Sequence, residues 1–167
     1  MIDGLLIKFL SFLFLFFIAL SLYHFIVQFK LNKRLSKAGI QDIDLMKGAE
    51  FEQYLRVLFD KLGFRVRVTK ASNDFGADLI LEGDVKVVIQ AKRYKKKVGI
   101  RAVQEINSAR DYYNAHEAWV ITNNFFTTPA IKLAQSSNVK LIDRYELVEL
   151  ILDSKGSSAD KKYFWSS

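Results

Sequence analysis

Asp78, Gln90 and Lys92 are the residues of this chain whose types and spacing could carry out metal-assisted hydrolysis of a phosphodiester. That reaction needs a hard divalent ion held by oxygen ligands, an attacking water, and a cation to steady the developing negative charge. Asp78 ends the polar stretch Asn73-Asp74-Phe75-Gly76-Ala77 and precedes the apolar run Leu79-Ile80-Leu81, so its carboxylate falls near the start of a strand. In the next apolar run, Val87 to Lys92, a period of two places Lys86, Val88, Gln90 and Lys92 on one face. The Asp78 carboxylate, the Gln90 amide oxygen and the Ala91 carbonyl can then serve as metal ligands, with Lys92 as the cation.

Strand register decides whether these groups meet. A two-residue hairpin loop at Gly83-Asp84 pairs Asp78 with Ile89 and leaves Asp78 on the face opposite Gln90 and Lys92. A three-residue loop at Gly83-Asp84-Val85, or one β-bulge, brings Asp78 across from Gln90 instead. The chemistry therefore predicts an odd-length loop or a bulge.

Each residue also has a structural reading. Lys92 begins the run Lys92, Arg93, Lys95, Lys96 and Lys97, and charge runs are usually solvated faces. Lys92 differs from the others because it follows three apolar residues in a strand and shares a face with Gln90. Asp78 could be a turn residue, but Asp74 fills that role more simply, through an Asx turn before Gly76. Glu52 could be an ordinary acid near a helix start, favourable by ~0.3–1 kcal/mol against the macrodipole. Its position beside Phe51 and Leu55, at the edge of an apolar stripe, would also let a helix facing the sheet direct it toward Asp78. Glu50 takes its place if the helix is rotated. His116 sits in the polar turn Asn114-Ala115-His116-Glu117, and a chain with 2 histidines offers little basis for a histidine-metal centre. The aromatic residues belong mainly to the apolar N-terminal run and the core, except Tyr94 among the lysines.

The elements that position these residues follow from periodicity. Phe51, Leu55, Leu58 and Leu62 recur at helical spacing within a helix over about 47–62, which Gly63 stops. Phe64 to Thr69 alternates as a strand with a basic wet face. Ile100 to Tyr113 carries Ala102, Ile106, Ala109 and Tyr113 on one stripe, and Trp119 to Thr122 is a strand ending at Asn123-Asn124. Thr128 before Pro129 predicts a capped helix through Ile131 and Ala134, ending around Ser136-Ser137-Asn138. Val139 to Ile142 is a further strand, and Asp143 can cap a last helix through Leu147, Leu150 and Ile151. Helical crossovers between the later strands imply an α/β protein: a mixed sheet in a three-layer α/β/α arrangement.

The segments Gly48-Ala49-Glu50-Phe51-Glu52, Gly63-Phe64, Asn73-Asp74-Phe75-Gly76-Ala77-Asp78, Gln90-Ala91-Lys92-Arg93-Tyr94 and Thr122-Asn123-Asn124-Phe125-Phe126-Thr127 together resemble the Mrr-type restriction endonuclease family. The resemblance spans about residues 48–150. This family belongs to the PD-(D/E)xK nuclease superfamily, and Gln90-Ala91-Lys92 looks like its Gln-x-Lys variant. The resemblance implies a restriction endonuclease-like fold and a Mg²⁺-dependent endonuclease, with Mn²⁺ as a substitute, acting on double-stranded DNA. It also implies Asp78 as the metal-binding acid, Lys92 as the catalytic lysine, Glu52 as the helix acid, and Gln104 as a polar site residue on the following helix. Gln90, the Ala91 carbonyl and Glu52 join Asp78 as expected metal ligands. An amide in place of a carboxylate removes one negative charge, so metal binding without substrate should be weak unless Glu52 or the phosphate compensates. Arg93, Tyr94, Lys95, Lys96 and Lys97 are the expected DNA contacts. A homodimer would suit a double-strand cut, although no dimerisation face is legible.

The chain has 167 residues, a formal charge of +7 and a pI near 9.5, which fits a polyanionic partner such as nucleic acid or anionic lipid. With no cysteine, thiolate zinc sites and cysteine nucleophiles are excluded. Phe9 to Val27 carries no formal charge and approaches the ~20 residues of a membrane-spanning helix. Lys30, Lys33, Arg34 and Lys37 follow it directly. The positive-inside bias then places the C-terminal bulk in the cytoplasm as part of a single-pass protein of the cell membrane. A cleaved signal peptide would want a basic start, a shorter apolar core and an Ala-x-Ala-like site, none of which stands out. The expected organisation is an N-terminal region over 1–29, a basic juxtamembrane linker over 30–44, a domain over 45–153 and a polar tail over 154–167. Two rival readings remain: a membrane-tethered DNA-binding module of the same fold without hydrolysis, and a scaffold whose lysines meet anionic lipid.

Overall fold

The computed structural model describes residues 4–69 and 75–156, with side chains from residue 8 onward. The chain forms two units, residues 1–37 and 38–167. In the first, α1 (Gly4–Leu35) is a single helix. Within it, Lys8–Leu35 has a mean hydropathy of 2.3 and is long and apolar enough to cross a membrane. Its 32 residues extend about 48 Å at ~1.5 Å per residue, more than the ~30 Å hydrocarbon layer.

The helix does not stop where the charges begin. It continues through Lys30, Lys33 and Arg34, residues expected in the linker, because lysine, arginine and leucine are good helix formers. Lys33 and Arg34 lie in the last turn, where cations complement the macrodipole. The rest of the expected linker is also ordered. Ile40–Ile43 forms the short helix α2, with the Gly39 N–H donating to the Asp42 carboxylate, and Ile43 is fully buried.

In the second unit, α3 (Gly48–Lys61) buries Phe51, Tyr54, Leu55, Val57, Leu58 and Phe59. It ends at Leu62, followed by Gly63 at φ 93°, the left-handed conformation that glycine adopts without a Cβ clash. The strands are β1 (Arg65–Val68), β2 (Leu79–Glu82), β3 (Val87–Lys92), β4 (Glu117–Thr122) and β5 (Val139–Ile142), and their spatial order is the same as their order in sequence. β1, β2 and β3 are antiparallel neighbours, whereas β3, β4 and β5 run parallel. The parallel strands are joined through α4 (Ile100–Tyr112) and α5 (Thr128–Ser137), and α6 (Arg144–Lys155) follows β5. Helices α3 and α6 cover one face of the sheet, and α4 and α5 the other. The result is the expected three-layer α/β/α fold with a mixed sheet.

Two cores result from alternation along the strands. Ile80, Val88 and Val120 pack with Val103, Ile106, Ala109, Ala130 and Ala134 beneath α4 and α5. On the other face Trp119, fully buried, meets Phe59, which in turn meets Phe64 edge-on. Burying one such side chain contributes roughly 1.5–3 kcal/mol.

The β2–β3 register follows the odd-loop expectation. Leu79 pairs with Ile89, Ile80 with Val88 and Leu81 with Val87, leaving Gly83, Asp84 and Val85 at the bend. The same offset places Asp78 across from Gln90.

Some boundaries differ from the expectation. The cap of α5 is Thr127, whose hydroxyl accepts from the Ala130 N–H, and Thr128 is the first helical residue ahead of Pro129. Asp143 caps α6 as expected, in a reciprocal capping box with Glu146. Helix α6 runs on to Lys155, so Ser154 and Lys155 are helical rather than part of an irregular tail. The Asx turn expected at Asp74 and the tail from residue 157 lie outside the described residues.

Candidate active site

Asp78 lies just before β2 and brackets Gln90 on the neighbouring strand. Its backbone N–H donates to the Ile89 carbonyl at 2.8 Å, and its carboxylate Oδ2 accepts the Ala91 N–H at 2.7 Å. Gln90 is buried, and its side chain rises from β3 toward α4, where Nε2 donates to Glu105 Oε2 at 2.7 Å. Two residues along the same strand, Lys92 Nζ reaches the same Glu105 oxygen at 3.4 Å. Glu105 Oε1 accepts from Arg101 Nε at 2.8 Å, one helical turn earlier. Burial pushes the Glu105 carboxyl up, but hydrogen bonds from Gln90 and Arg101 and the charge of Lys92 outweigh it and hold it below the ordinary carboxylate range.

A carboxylate partner for Nε2 settles the orientation of the Gln90 amide, since only the NH₂ end can donate. The opposite end, Oε1, is buried and has no hydrogen-bond partner among the described residues. An uncompensated buried amide oxygen costs about 1–3 kcal/mol and is normally avoided. Gly76 closes over this arrangement at φ 90°. A Cβ on it would come within 2.8 Å of Glu105 Cβ and 2.9 Å of Gln90 Nε2.

The donor set suits a hard cation. It combines a carboxylate, a main-chain carbonyl and an amide oxygen that lacks a hydrogen-bond donor. Among the described residues no cluster of three or more His, Asp or Glu side chains converges, so any ion here depends partly on neutral oxygens.

Asp78, Gln90, Ala91 and Lys92 are thus brought together. Glu52 is partly buried on α3, the helix on the other face of the sheet, and Glu50 is partly buried in the first turn of the same helix. Gln104, the residue expected to contribute from α4, is exposed, and its neighbour Glu105 makes the contacts. One residue along a helix rotates a side chain by about 100°, enough to exchange site for solvent. A signal for Glu105 was present, because it stands three residues after Ala102 and four before Ala109, on the flank of the buried stripe.

The basic stretch after β3 is anchored at both ends. Lys92 O accepts from the buried Thr122 hydroxyl at 2.6 Å, and Val98, buried, forms a parallel bridge with Phe126. Between them Tyr94, Lys95, Lys96 and Lys97 are exposed, while Arg93 is partly buried. His116 is structural: its Nδ1 accepts the Lys86 N–H at 2.9 Å.

A mixed sheet between helical layers, with an acid before one strand and Gln-x-Lys on the next, defines a restriction endonuclease-like nuclease domain. The sequence matches the restriction endonuclease family Mrr_cat over residues 43–151, and the chain belongs to that family. Nucleases of this kind generally use divalent metal ions. Two solved structures share the fold. The AF1548 protein, described as of unknown function, aligns with a TM-score of 0.53 and 21% identity over 63% of this chain and 65% of its own. The DNA modification-dependent restriction endonuclease AspBHI aligns with a TM-score of 0.57 and 18% identity over 76% of this chain and 36% of its own. The chain therefore spans about two thirds of the first and about a third of the second. No curated protein matches the sequence.

Proposed function

We propose that this protein is a membrane-anchored, metal-dependent deoxyribonuclease that hydrolyses phosphodiester bonds in double-stranded DNA. The observation that carries this reading is Gln90 Oε1, buried without a hydrogen-bond partner among the described residues, in a strand where the next residue, Ala91, is bonded to the Asp78 carboxylate and Lys92 pairs with Glu105.

Asp78, Gln90 Oε1 and the Ala91 carbonyl would hold Mg²⁺, or Mn²⁺ in its place, while Glu52, on the helix covering the other face of the sheet, takes no part in this reading. Such an ion polarises the phosphate and lowers the pKa of its water. Lys92 orients the attacking water or steadies charge on the phosphate oxygens as the new P–O bond forms and the old one breaks. Glu105 positions the others: its carboxylate fixes the Gln90 rotamer and holds the Lys92 ammonium in place. Gln104, exposed beside Glu105, takes a solvent-side role at most. Arg93, Tyr94, Lys95, Lys96 and Lys97 track the DNA backbone, where each neutralised phosphate adds to the salt dependence of binding. Helix α1 tethers the domain to the cell membrane with the nuclease on the cytoplasmic side, supported by its length, its apolar character and the cations at its C-terminal end.

Incubating a fragment that starts at Ala38 with varied DNAs and Mg²⁺ or Mn²⁺ tests the chemistry. Metal-dependent cleavage that disappears in Asp78→Ala and in Lys92→Ala is the expected result. Salt-sensitive DNA binding without cleavage, unchanged by either substitution, would show a DNA-binding module instead. The fragment starts at Ala38 because the Ala38 carbonyl accepts from the buried Tyr54 hydroxyl and Asp44 is bonded into the domain.

A further inference from the structure

Lys92 and Arg93 are consecutive, so strand alternation sends them to opposite faces at the C-terminal end of β3. Lys92 turns toward α4 and the site described above. Arg93 lines a separate pocket of about 350 Å³ formed where β3 and β4 end and α6 begins. The carboxyl ends of parallel strands are where open α/β sheets usually bind ligands.

The pocket is rigidly built. Arg144 forms a bidentate pair with Asp44, at 2.7 and 2.8 Å, and also donates to the Asn123 carbonyl at 2.8 Å. Asn123, buried, donates to Asp44 Oδ1 at 2.8 Å and accepts the Tyr94 N–H at 2.9 Å. Asn124 donates to the Tyr94 carbonyl at 3.3 Å. With the Thr122 hydroxyl on the Lys92 carbonyl, the bonds to Tyr94 hold the chain on either side of Arg93, and the Asp44 charge is balanced by Arg144.

The remaining charge is positive. Arg93 donates to the Asp44 main-chain carbonyl through Nη1 at 3.4 Å, but its Nε is buried with no acceptor among the described residues. Lys95, exposed, lines the same pocket. Two cations lining one pocket, one of them a guanidinium, are matched by an anion with several acceptor oxygens, and planar forked donors suit phosphate in particular.

We propose that this pocket is a second phosphate site, separate from the hydrolytic one, that holds a non-scissile phosphate of the nucleic acid through Arg93 and Lys95. This deepens the nuclease reading, on which the identity of the phosphate as part of a DNA substrate rests. The phosphate is either a terminal monoester at a DNA 5′ end or an internal diester beside the cut. Lys92 and Arg93 then grip one strand from both sides of the sheet edge, which sets the position of the cut relative to the held phosphate.

The test uses the full chain in detergent micelles with EDTA, where hydrolysis is silent. Binding is measured for inorganic phosphate, for a short oligonucleotide with a 5′-phosphate, for the same oligonucleotide with a 5′-hydroxyl, and for closed circular duplex. The expected result is phosphate binding that Arg93→Gln and, separately, Lys95→Gln each weaken about tenfold or more, with circular dichroism unchanged. Preference for the 5′-phosphorylated oligonucleotide, lost in both variants, assigns a terminal phosphate. Equal binding of the two oligonucleotides, with weaker circular-duplex binding in both variants, assigns an internal one. Wild-type affinities for every probe in a folded Lys95→Gln and a folded Arg93→Gln protein would overturn the proposal. Phosphate binding lost in these variants from a protein that never cleaves DNA with Mg²⁺ or Mn²⁺ would keep the pocket and remove the nuclease reading. Cleavage with no Arg93 or Lys95 dependence of binding would do the reverse.

Discussion

Gln90 and Glu105 meet through a 2.7 Å hydrogen bond between a strand amide and a helix carboxylate. This contact fixes which end of the amide is the NH₂, and so which end is the oxygen. Glu105 also holds Lys92, so one helical acid positions both members of the Gln-x-Lys element.

Replacing Glu105 with alanine should therefore damage the site without altering its ligands. Gln90 Nε2 would lose its acceptor and Lys92 its ion pair. Loss of such positioning partners typically costs about 10–100-fold in metal affinity or activity. We expect DNA cleavage to fall by that amount, with Glu105→Gln retaining more activity than Glu105→Ala because its side-chain carbonyl can still accept from Gln90. Titrating Mg²⁺ in cleavage assays of both variants checks this.

Gln90→Glu puts a second carboxylate at the proposed ligand position but sets it against Glu105 at hydrogen-bonding distance. Two carboxylates that close disfavour joint ionisation. The expected outcome is a lower Tm than wild type in EDTA at neutral pH and a larger gain in Tm on adding Mg²⁺. Equal responses to Mg²⁺ in both proteins would count against a cation at Gln90.

Gly76→Ala tests the cover of the site. The left-handed backbone there costs a non-glycine residue of order 1–3 kcal/mol, and the added methyl would press on Glu105 and Gln90. Stability by urea denaturation should fall in that range, with cleavage reduced even under conditions where the protein is folded.

Asp44 predicts a pH dependence. Its hydrogen bond to Arg144 comes first among the influences holding its carboxyl below the usual value, ahead of the opposing effect of burial. A folded-state value below the unfolded one of about 4 means that the pair stabilises fully above that pH. The contribution is lost as pH falls through the lowered folded value. Wild type and Asp44→Asn should therefore differ in urea midpoint at pH 5–7 and converge as the pH falls through the lowered folded-state value. A constant difference across that range would show that the effect of the substitution does not come from losing the carboxylate charge.

Much of this architecture was legible locally. Helix stripes such as Phe51, Leu55 and Leu58, the glycine after α3, the Asp143 cap and the alternation in β3 follow from bonds and burial within a few residues, which repeat with fixed periods. The condition on the Gly83–Val85 loop was legible too, because strand alternation allows two faces and the proposed chemistry needs one of them.

What the amino-acid order determined by itself was the fold class, the adjacency of the candidates Asp78, Gln90 and Lys92 on neighbouring strands, and the apolar N-terminal run. Only the tertiary structure decided that Glu105 rather than Gln104 faces Lys92, and that Asp44 pairs with Arg144 beside Arg93. A side chain's direction across a helix–sheet interface depends on how the whole helix is rotated against the sheet. A pair one hundred residues apart leaves no periodic trace, since its energy exists only once both segments have been brought to the same sheet edge.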